Sequence, residues 1–296
     1  MRIPTDSYEN IWGDYVLALS WMRSIGVEIT SGRTQFYEKV IGTWVRDFRT
    51  ASVQQANEIF PDFVSSMFEV MDFIDVYKSL GGVPTPSLKS IAEKLQKGVN
   101  GPINSADESC KSTAARNFIF EALVAARAHR PEKSVYSHFG ATSDTGLIVD
   151  GKSVWIECKR LTSLDKLEAN VRKACNQIES ALKRDASTQH RGLVAIDFTK
   201  IINKGDKILV KSNDSDLLQE IDLITERIIQ QCSHEWEKVY KTKNRKILGT
   251  LVRFSTMATS ESRNLIVRAS QWAINPKLNI KSADEQLLYS LAAAMK

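Results

Sequence analysis

Apolar side chains recur at helical spacing through the first hundred residues. The clearest case is the set Ile11, Tyr15, Leu19 and Met22, which predicts a helix over residues 8–25. Similar spacing predicts helices over about 34–48, 53–80 and 87–97. Pro61 is expected to interrupt the helix over 53–80, because proline cannot continue an interior turn. Residues 1–100 are thus predicted to be a helical N-terminal region, and 98–109 are typical of a linker.

The pattern changes after Ser112, where short β-prone runs lie between helical ones. A helix is predicted over about 112–130, strands over 135–139, 144–149 and 153–159, a helix over 163–185 and a strand over 192–201. This order indicates an α/β core. Farther along, the pattern predicts a helix over 214–241, strands over 247–258 and 264–274, and a helix over 283–295. Residues 110–296 are therefore predicted to be an α/β domain with a C-terminal extension.

A tight hairpin is predicted within residues 143–161. Asp150 and Gly151 stand between two β-prone runs, and Asp-Gly favours a type I′ turn because both central residues need a positive φ. Such a turn pairs residue 149 with residue 152 and brings Asp144 opposite Glu157. Side chains alternate along a strand, so one face is apolar, and the other carries Asp144, Glu157 and Lys159.

Two opposed carboxylates predict a cation between them. Directly paired residues have Cβ atoms about 4.5–5.5 Å apart, and like charges at that distance repel unless a cation or a shared proton lies between them. Hard oxygen ligands suit Mg²⁺ or Mn²⁺, which is often held by one or two carboxylates together with substrate phosphate. Lys159 lies on the same side of its strand, where an ammonium group can orient a water molecule and offset developing negative charge.

Asp144, followed after twelve residues by Glu157-Cys158-Lys159, resembles the motif of the PD-(D/E)xK nuclease superfamily. The order of elements over roughly 112–202 is similar to the αβββαβ core of that superfamily. The resemblance implies a restriction-endonuclease-like fold and Mg²⁺- or Mn²⁺-dependent cleavage of DNA. Ser143 stands where the superfamily often has proline.

Two further residues match the superfamily by position. Glu121 is the one charged residue between Asn117 and Ala126, and burying an isolated carboxylate costs several kcal/mol without compensation. The resemblance implies that Glu121 is a further metal ligand on the first helix. Gln177 resembles a helix glutamine that supports the site in several branches of the superfamily. Arg160 and Lys173 are predicted contacts to nucleic-acid phosphates.

Simpler interpretations exist for each of these residues. Asp144, Glu157 and Lys159 could form a solvated hairpin face with a cross-strand salt bridge. Asp-Gly explains Asp150 as a turn former, and Cys158 belongs to the apolar face. Trp155 is expected to cover the strand, and His138 to be an ordinary loop or strand histidine.

Composition excludes several classes of protein. The chain has 296 residues, 43% apolar and 25% charged, which is the balance of a globular protein. No window reaches the roughly 18 apolar residues that a membrane span needs. The four cysteines, one of them Cys110, are far apart in the sequence, and the N-terminal residues do not have the pattern of a secretory leader. These two features predict a reduced cytoplasmic protein. Residues 1–100 carry 10 Lys and Arg against 12 Asp and Glu, and the remainder carries 30 against 23, which is compatible with a polyanionic partner.

The sequence therefore predicts a metal-dependent nuclease acting on DNA in restriction, defence or repair. The alternative is a nucleic-acid-binding or assembly subunit whose nuclease-like fold is not catalytic. RNA is a third option for the substrate. A homodimer or a partner protein is compatible with the sequence, because paired cuts usually require two active sites.

Overall fold

The N-terminal third of the protein is helical, as predicted. The computed structural model describes residues 6–108, 112–139, 143–184, 187–203, 207–262 and 265–296, so Cys110 lies outside the described residues. Four helices form the N-terminal region: α1 (Tyr8–Ser24), α2 (Arg33–Asp47), α3 (Val53–Leu80) and α4 (Lys89–Gly98). Ser7 caps α1 by accepting a hydrogen bond from the Asn10 backbone N–H, which satisfies one donor of the first turn.

Helix α3 continues through Pro61, so the expected interruption was wrong. Pro61 is exposed, and its ring removes only one backbone hydrogen bond. The opposite side of α3 buries Phe63, Met67 and Val70, whose transfer from water stabilises the continuous helix by more than that loss. Packing therefore overrides the local preference of proline.

The predicted order of helix, three strands, helix and strand is present in the structure. The elements are α5 (Ala114–Ala128), β1 (Val135–Ser137), β2 (Thr145–Val149), β3 (Lys152–Arg160), α6 (Leu167–Arg184) and β4 (His190–Asp197). The last strand ends earlier than predicted, because the Asp197 carboxylate accepts a hydrogen bond from the Thr199 backbone N–H at 2.9 Å. That bond turns the chain into the short helix α7 (Thr199–Ile202).

The C-terminal strands join the same sheet. The remaining elements are β5 (Ile208–Lys211), α8 (Asp214–Tyr240), β6 (Ile247–Ser260), β7 (Val267–Pro276) and α9 (Ser282–Met295). The strands run in the order β1-β2-β3-β4-β6-β5, and β7 also pairs with β6, antiparallel to it. Strands β3, β4 and β6 are parallel to one another, whereas β1, β2 and β3 form antiparallel pairs. The pattern did not predict the four-residue strand β5.

Helices cover both faces of this mixed sheet. Helices α5 and α9 pack on one face, and α6 and α8 pack on the other. The far side of α5 packs against the N-terminal helices in a separate apolar cluster that includes Ile119, Leu123 and Ala126. Helix α4 packs against α5, and residues of α4 lie near the start of β2. None of the helices in the described ranges is both long enough and apolar enough to cross a bilayer.

Candidate active site

The hairpin that carries the predicted acids has the expected turn and register. Asp150 and Gly151 have φ values of 48° and 76°, the positive values that a type I′ turn requires. Val149 pairs with Lys152, and the pairing continues to Thr145 opposite Ile156. The next residues in this register are Asp144 and Glu157.

Asp144, Glu157 and Lys159 meet at the start of β2. The Asp144 backbone N–H donates to Glu157 Oε1 at 3.4 Å. Lys159 Nζ lies 3.4 Å from Asp144 Oδ2 and 3.4 Å from Glu157 Oε2, so one ammonium group contacts both carboxylates. Asp144 Oδ2 also accepts a hydrogen bond from the Cys158 backbone N–H at 2.9 Å, which orients this carboxylate.

Burial makes the acid pair electrostatically unusual. Glu157 is only 3% exposed. Burial first, and the nearby Asp144 carboxylate second, raise the pKa of Glu157 to about 7, although Lys159 opposes the change. Near neutral pH the Glu157 carboxyl is therefore poised between its protonated and ionised forms. A pKa perturbed by burial and by a specific charged neighbour is common at functional sites.

Glu121 approaches the pair from α5. Burial and the Asp144 carboxylate raise the pKa of Glu121, and Lys94 opposes this through an ion pair with Glu121 Oε2. Thr145 Oγ1 donates to the Glu121 backbone carbonyl at 2.8 Å and ties α5 to the first residue of β2. Lys94 was not predicted as a partner of Glu121. The residues around Lys94 in the sequence do not indicate that α4 packs beside α5.

One open cavity joins most of the predicted site residues. We refer to it as the acid cavity, and it encloses about 530 Å³. Its walls are formed by Lys94, Phe118, Glu121, Ser143, Asp144, Glu157, Lys173, Asn176, Gln177, Ser180 and Arg184. The basic residues Lys173 and Arg184 stand on α6, where they are exposed. Gln177 Oε1 is buried and has no hydrogen-bond partner within the described part of the chain.

Arg160 is not brought to the acid cavity. Its guanidinium group pairs with Glu108 Oε1 at 3.1 Å and lies 3.6 Å from Asp197 Oδ2. Its side chain is only 10% exposed, so the predicted phosphate contact would require these ion pairs to break. Glu108 and Asp197 could not be recognised as its partners from the sequence, because they lie far from Arg160 along the chain.

The rings of Trp155 and His138 pack against each other. Trp155 is 3% exposed and packs in the apolar cluster beneath α6, as expected of a residue that covers the strand. The His138 ring lies 5.1 Å from the Trp155 ring, and the His138 backbone N–H donates to the Gly146 carbonyl at 2.8 Å. Cys158 belongs to the apolar cluster between the sheet and α5, on the face that the sequence predicted.

The donors at the acid cavity suit a hard divalent cation in part. Asp144 and Glu157 contribute carboxylate oxygens from adjacent strands, and the Gln177 amide oxygen is without a partner among the described residues. Mg²⁺ commonly takes one or two carboxylates and completes its shell with water and substrate phosphate, which fits this set. Within the described ranges, no group of three or more His, Cys, Asp or Glu residues is arranged to hold a metal ion. Glu121 is paired with Lys94, and its role as a third ligand stays a prediction.

Comparison of the chain with protein-family profiles, with curated proteins and with solved structures gives no match. The geometry of the acid cavity and the motif in the sequence are therefore the evidence that bears on function.

Proposed function

We propose that this protein is a metal-dependent nuclease that hydrolyses phosphodiester bonds, with DNA as the substrate and a restriction-endonuclease-like core. The observation that carries the proposal is the contact of Lys159 Nζ with both Asp144 and Glu157, two acids that line the open acid cavity. The order of elements from α5 to β4 and the resemblance to the PD-(D/E)xK motif also support it. The choice of DNA over RNA depends on that resemblance.

The acids at the acid cavity, together with Lys159, Gln177 and Lys173, have distinct roles in the proposed reaction. Asp144 and Glu157 would hold Mg²⁺ or Mn²⁺, and Glu121 would complete the shell. When bound, the cation supplies a Lewis acid and lowers the pKa of water. Lys159 would orient the attacking water and offset the negative charge that develops on the phosphate. Gln177 would support the arrangement of the acids at the acid cavity. Lys173 would contact a phosphate of the nucleic acid next to the one that is cleaved.

The protonation of Glu157 supports a role in binding a cation. Burial and Asp144 raise the pKa of Glu157 to about 7, so this carboxyl loses its proton near neutral pH. The ionised carboxylate is the form that a bound cation would stabilise. A divalent cation between the acids would favour the ionised form, so cation binding should release a proton. Without a divalent cation the two carboxylates repel each other, and Lys159 reduces this repulsion.

One observation favours the second candidate, a nucleic-acid-binding or assembly subunit without catalysis. Lys159 contacts both carboxylates and Lys94 pairs with Glu121, so these acids have cationic partners from the chain itself. A structural salt-bridge cluster would have the same contacts. In that case nucleic-acid binding would survive chelation, and Lys159→Ala would leave it unchanged.

The deciding experiment is cleavage of plasmid and linear DNA with Mg²⁺ or Mn²⁺, with a single-stranded RNA as a second substrate. The parent protein should nick or cut DNA, and both Glu157→Ala and Lys159→Ala should abolish the activity. Lys183→Ala is the matched control, because Lys183 is exposed on α6 and does not line the acid cavity. Equal rates for the parent and for the Glu157 and Lys159 variants would exclude this site. Binding without cutting would support the second candidate.

We also propose a reducing, cytoplasmic setting. Cys158, Cys175 and Cys232 are buried and unpaired in the structure, which suits such a compartment. A homodimer or a partner protein would provide the second active site that paired cuts need. Neither insertion into a membrane nor a lipid partner is part of this proposal.

A further inference from the structure

A second cavity adjoins the acid cavity on the side of α4. This side pocket encloses about 220 Å³. Four residues line both cavities: Lys94, Phe118, Ser143 and Asp144. A ligand that enters the side pocket is therefore within reach of the proposed metal-binding acids.

The lining of the side pocket combines aromatic rings with polar and charged groups. Phe118, His138 and Phe139 contribute rings, and Ile91 contributes an aliphatic wall. Lys97 Nζ lies 4.8 Å from the centre of the Phe118 ring and is exposed. A half-buried ring beside an ammonium group is a combination with which proteins hold unpaired nucleotides, because the base stacks on the ring and the phosphate pairs with the cation.

The charges of the pocket favour one orientation of such a ligand. Glu93 also lines the pocket, and a carboxylate repels a phosphate but accepts a hydrogen bond from an amino group of a base. Lys94 pairs with Glu121, so Lys97 is the exposed cation among the described residues that line the pocket. The base therefore belongs inside the pocket, and the phosphate belongs near Lys97.

We propose that the side pocket binds the base of an unpaired nucleotide that lies next to the phosphate cleaved in the acid cavity. This inference rests on the proposed nuclease function and extends it, because it assigns a substrate with at least one unstacked base. The N-terminal helical region then takes part in substrate binding, since Glu93, Lys94 and Lys97 all belong to α4.

The test measures binding of the full-length protein to labelled DNA by fluorescence anisotropy in EDTA, where no cleavage occurs. Phe118→Leu should weaken binding of a single-stranded oligonucleotide by about 5- to 150-fold, the usual loss for one stacked base. Blunt duplex DNA should be affected less. Phe36→Leu is the matched control, because Phe36 is a half-buried phenylalanine of α2 that lines neither cavity.

A series of oligonucleotides, each with one abasic site, locates the bound base. The parent protein should lose affinity when the abasic site lies beside the cleaved bond, and Phe118→Leu should be insensitive to it. Lys97→Met, at an exposed position, should lower the salt slope of single-strand binding by about 0.7. Lys89→Met on the same helix should leave the slope unchanged.

The outcomes separate the two proposals. If the parent protein cuts DNA in Mg²⁺ but Phe118→Leu and Lys97→Met bind like their controls, the side pocket is not a nucleotide subsite and the nuclease proposal stands. Uniform binding to every abasic oligonucleotide also overturns the subsite. If the parent protein neither cuts nor binds DNA, the proposed function fails, and the subsite fails with it.

Discussion

Asp144 and Glu157 lie side by side across the β2–β3 hairpin, and the backbone N–H of the first donates to the carboxylate of the second at 3.4 Å. The register of the hairpin determines the positions of both carboxylates, so a shift in register would change both. Lys159 follows two residues after Glu157 on the same strand and therefore meets the pair without any contribution from a distant element. The arrangement is a local consequence of a two-residue turn.

Ionised Glu157 should destabilise the folded protein. Its pKa of about 7 lies above the ordinary value of 4.5, so the folded chain binds more protons than the unfolded chain between these pH values. Stability should therefore fall as the pH rises from about 5 to about 8. Glu157→Gln, which removes the charge, should raise the free energy of unfolding at pH 8 by about 1–3 kcal/mol and by less at pH 5.

Urea denaturation of both proteins at the two pH values checks this prediction. Glu226→Gln is the control, because Glu226 is exposed on α8. An equal effect of Glu157→Gln at pH 5 and pH 8 would contradict the raised pKa.

Removal of Lys159 should leave two neighbouring carboxylates without their shared cation. Lys159→Met should lower the free energy of unfolding by about 1–3 kcal/mol, the cost of an unsatisfied buried polar group. Mg²⁺ should then stabilise the variant more than it stabilises the parent protein, because the cation would replace the missing charge. Thermal melts with and without Mg²⁺ measure the difference, and a shift of the same size in both proteins would argue against cation binding at this pair.

Gly192 allows α6 to approach the sheet closely. A Cβ atom at this position would lie 2.2 Å from Ile178 Cγ2, so alanine forces α6 or the Ile178 side chain to move. Gly192→Ala should destabilise the protein by about 1–3 kcal/mol. It should also reduce nuclease activity, because Gln177 precedes Ile178 on the helix that lines the acid cavity.

A double-mutant cycle tests the cause of that effect. Ile178→Ala removes the clashing atom, so the double variant should lose less stability than the two single variants together. Additive losses would show that the Gly192 backbone, and not the packing against Ile178, is responsible.

Arg253 joins the N-terminal region to the sheet. Its guanidinium group pairs with Asp197 Oδ2 at 3.1 Å and with Asp72 Oδ1 at 2.6 Å, and its side chain is 4% exposed. Arg253→Met should destabilise the protein by about 3–5 kcal/mol, because two acids lose a buried partner. Arg46→Met, at a side chain that is 68% exposed, should change stability by less than about 1 kcal/mol. Chemical denaturation compares the two variants, and similar losses would show that the Arg253 ion pairs contribute little.

Most of the secondary structure could be predicted because it depends on short-range patterns. Helical periodicity located α1, α2 and α8, and the Asp150-Gly151 turn determined the register of the hairpin. Two errors have the same origin. Local chemistry argued for a break at Pro61 and for a longer fourth strand, whereas packing of α3 and the Asp197–Thr199 hydrogen bond decided otherwise.

The sequence by itself determined the proximity of Asp144, Glu157 and Lys159, because all three belong to one hairpin whose turn and alternation are local properties. Only the tertiary structure decided that Lys94 pairs with Glu121 and that Arg160 is held by Glu108 and Asp197. These pairs join residues that are far apart in the chain, and their partners are selected by how the helices pack on the sheet. No periodicity or turn signal carries that information, since burial and distance between separate elements arise only when the whole core forms.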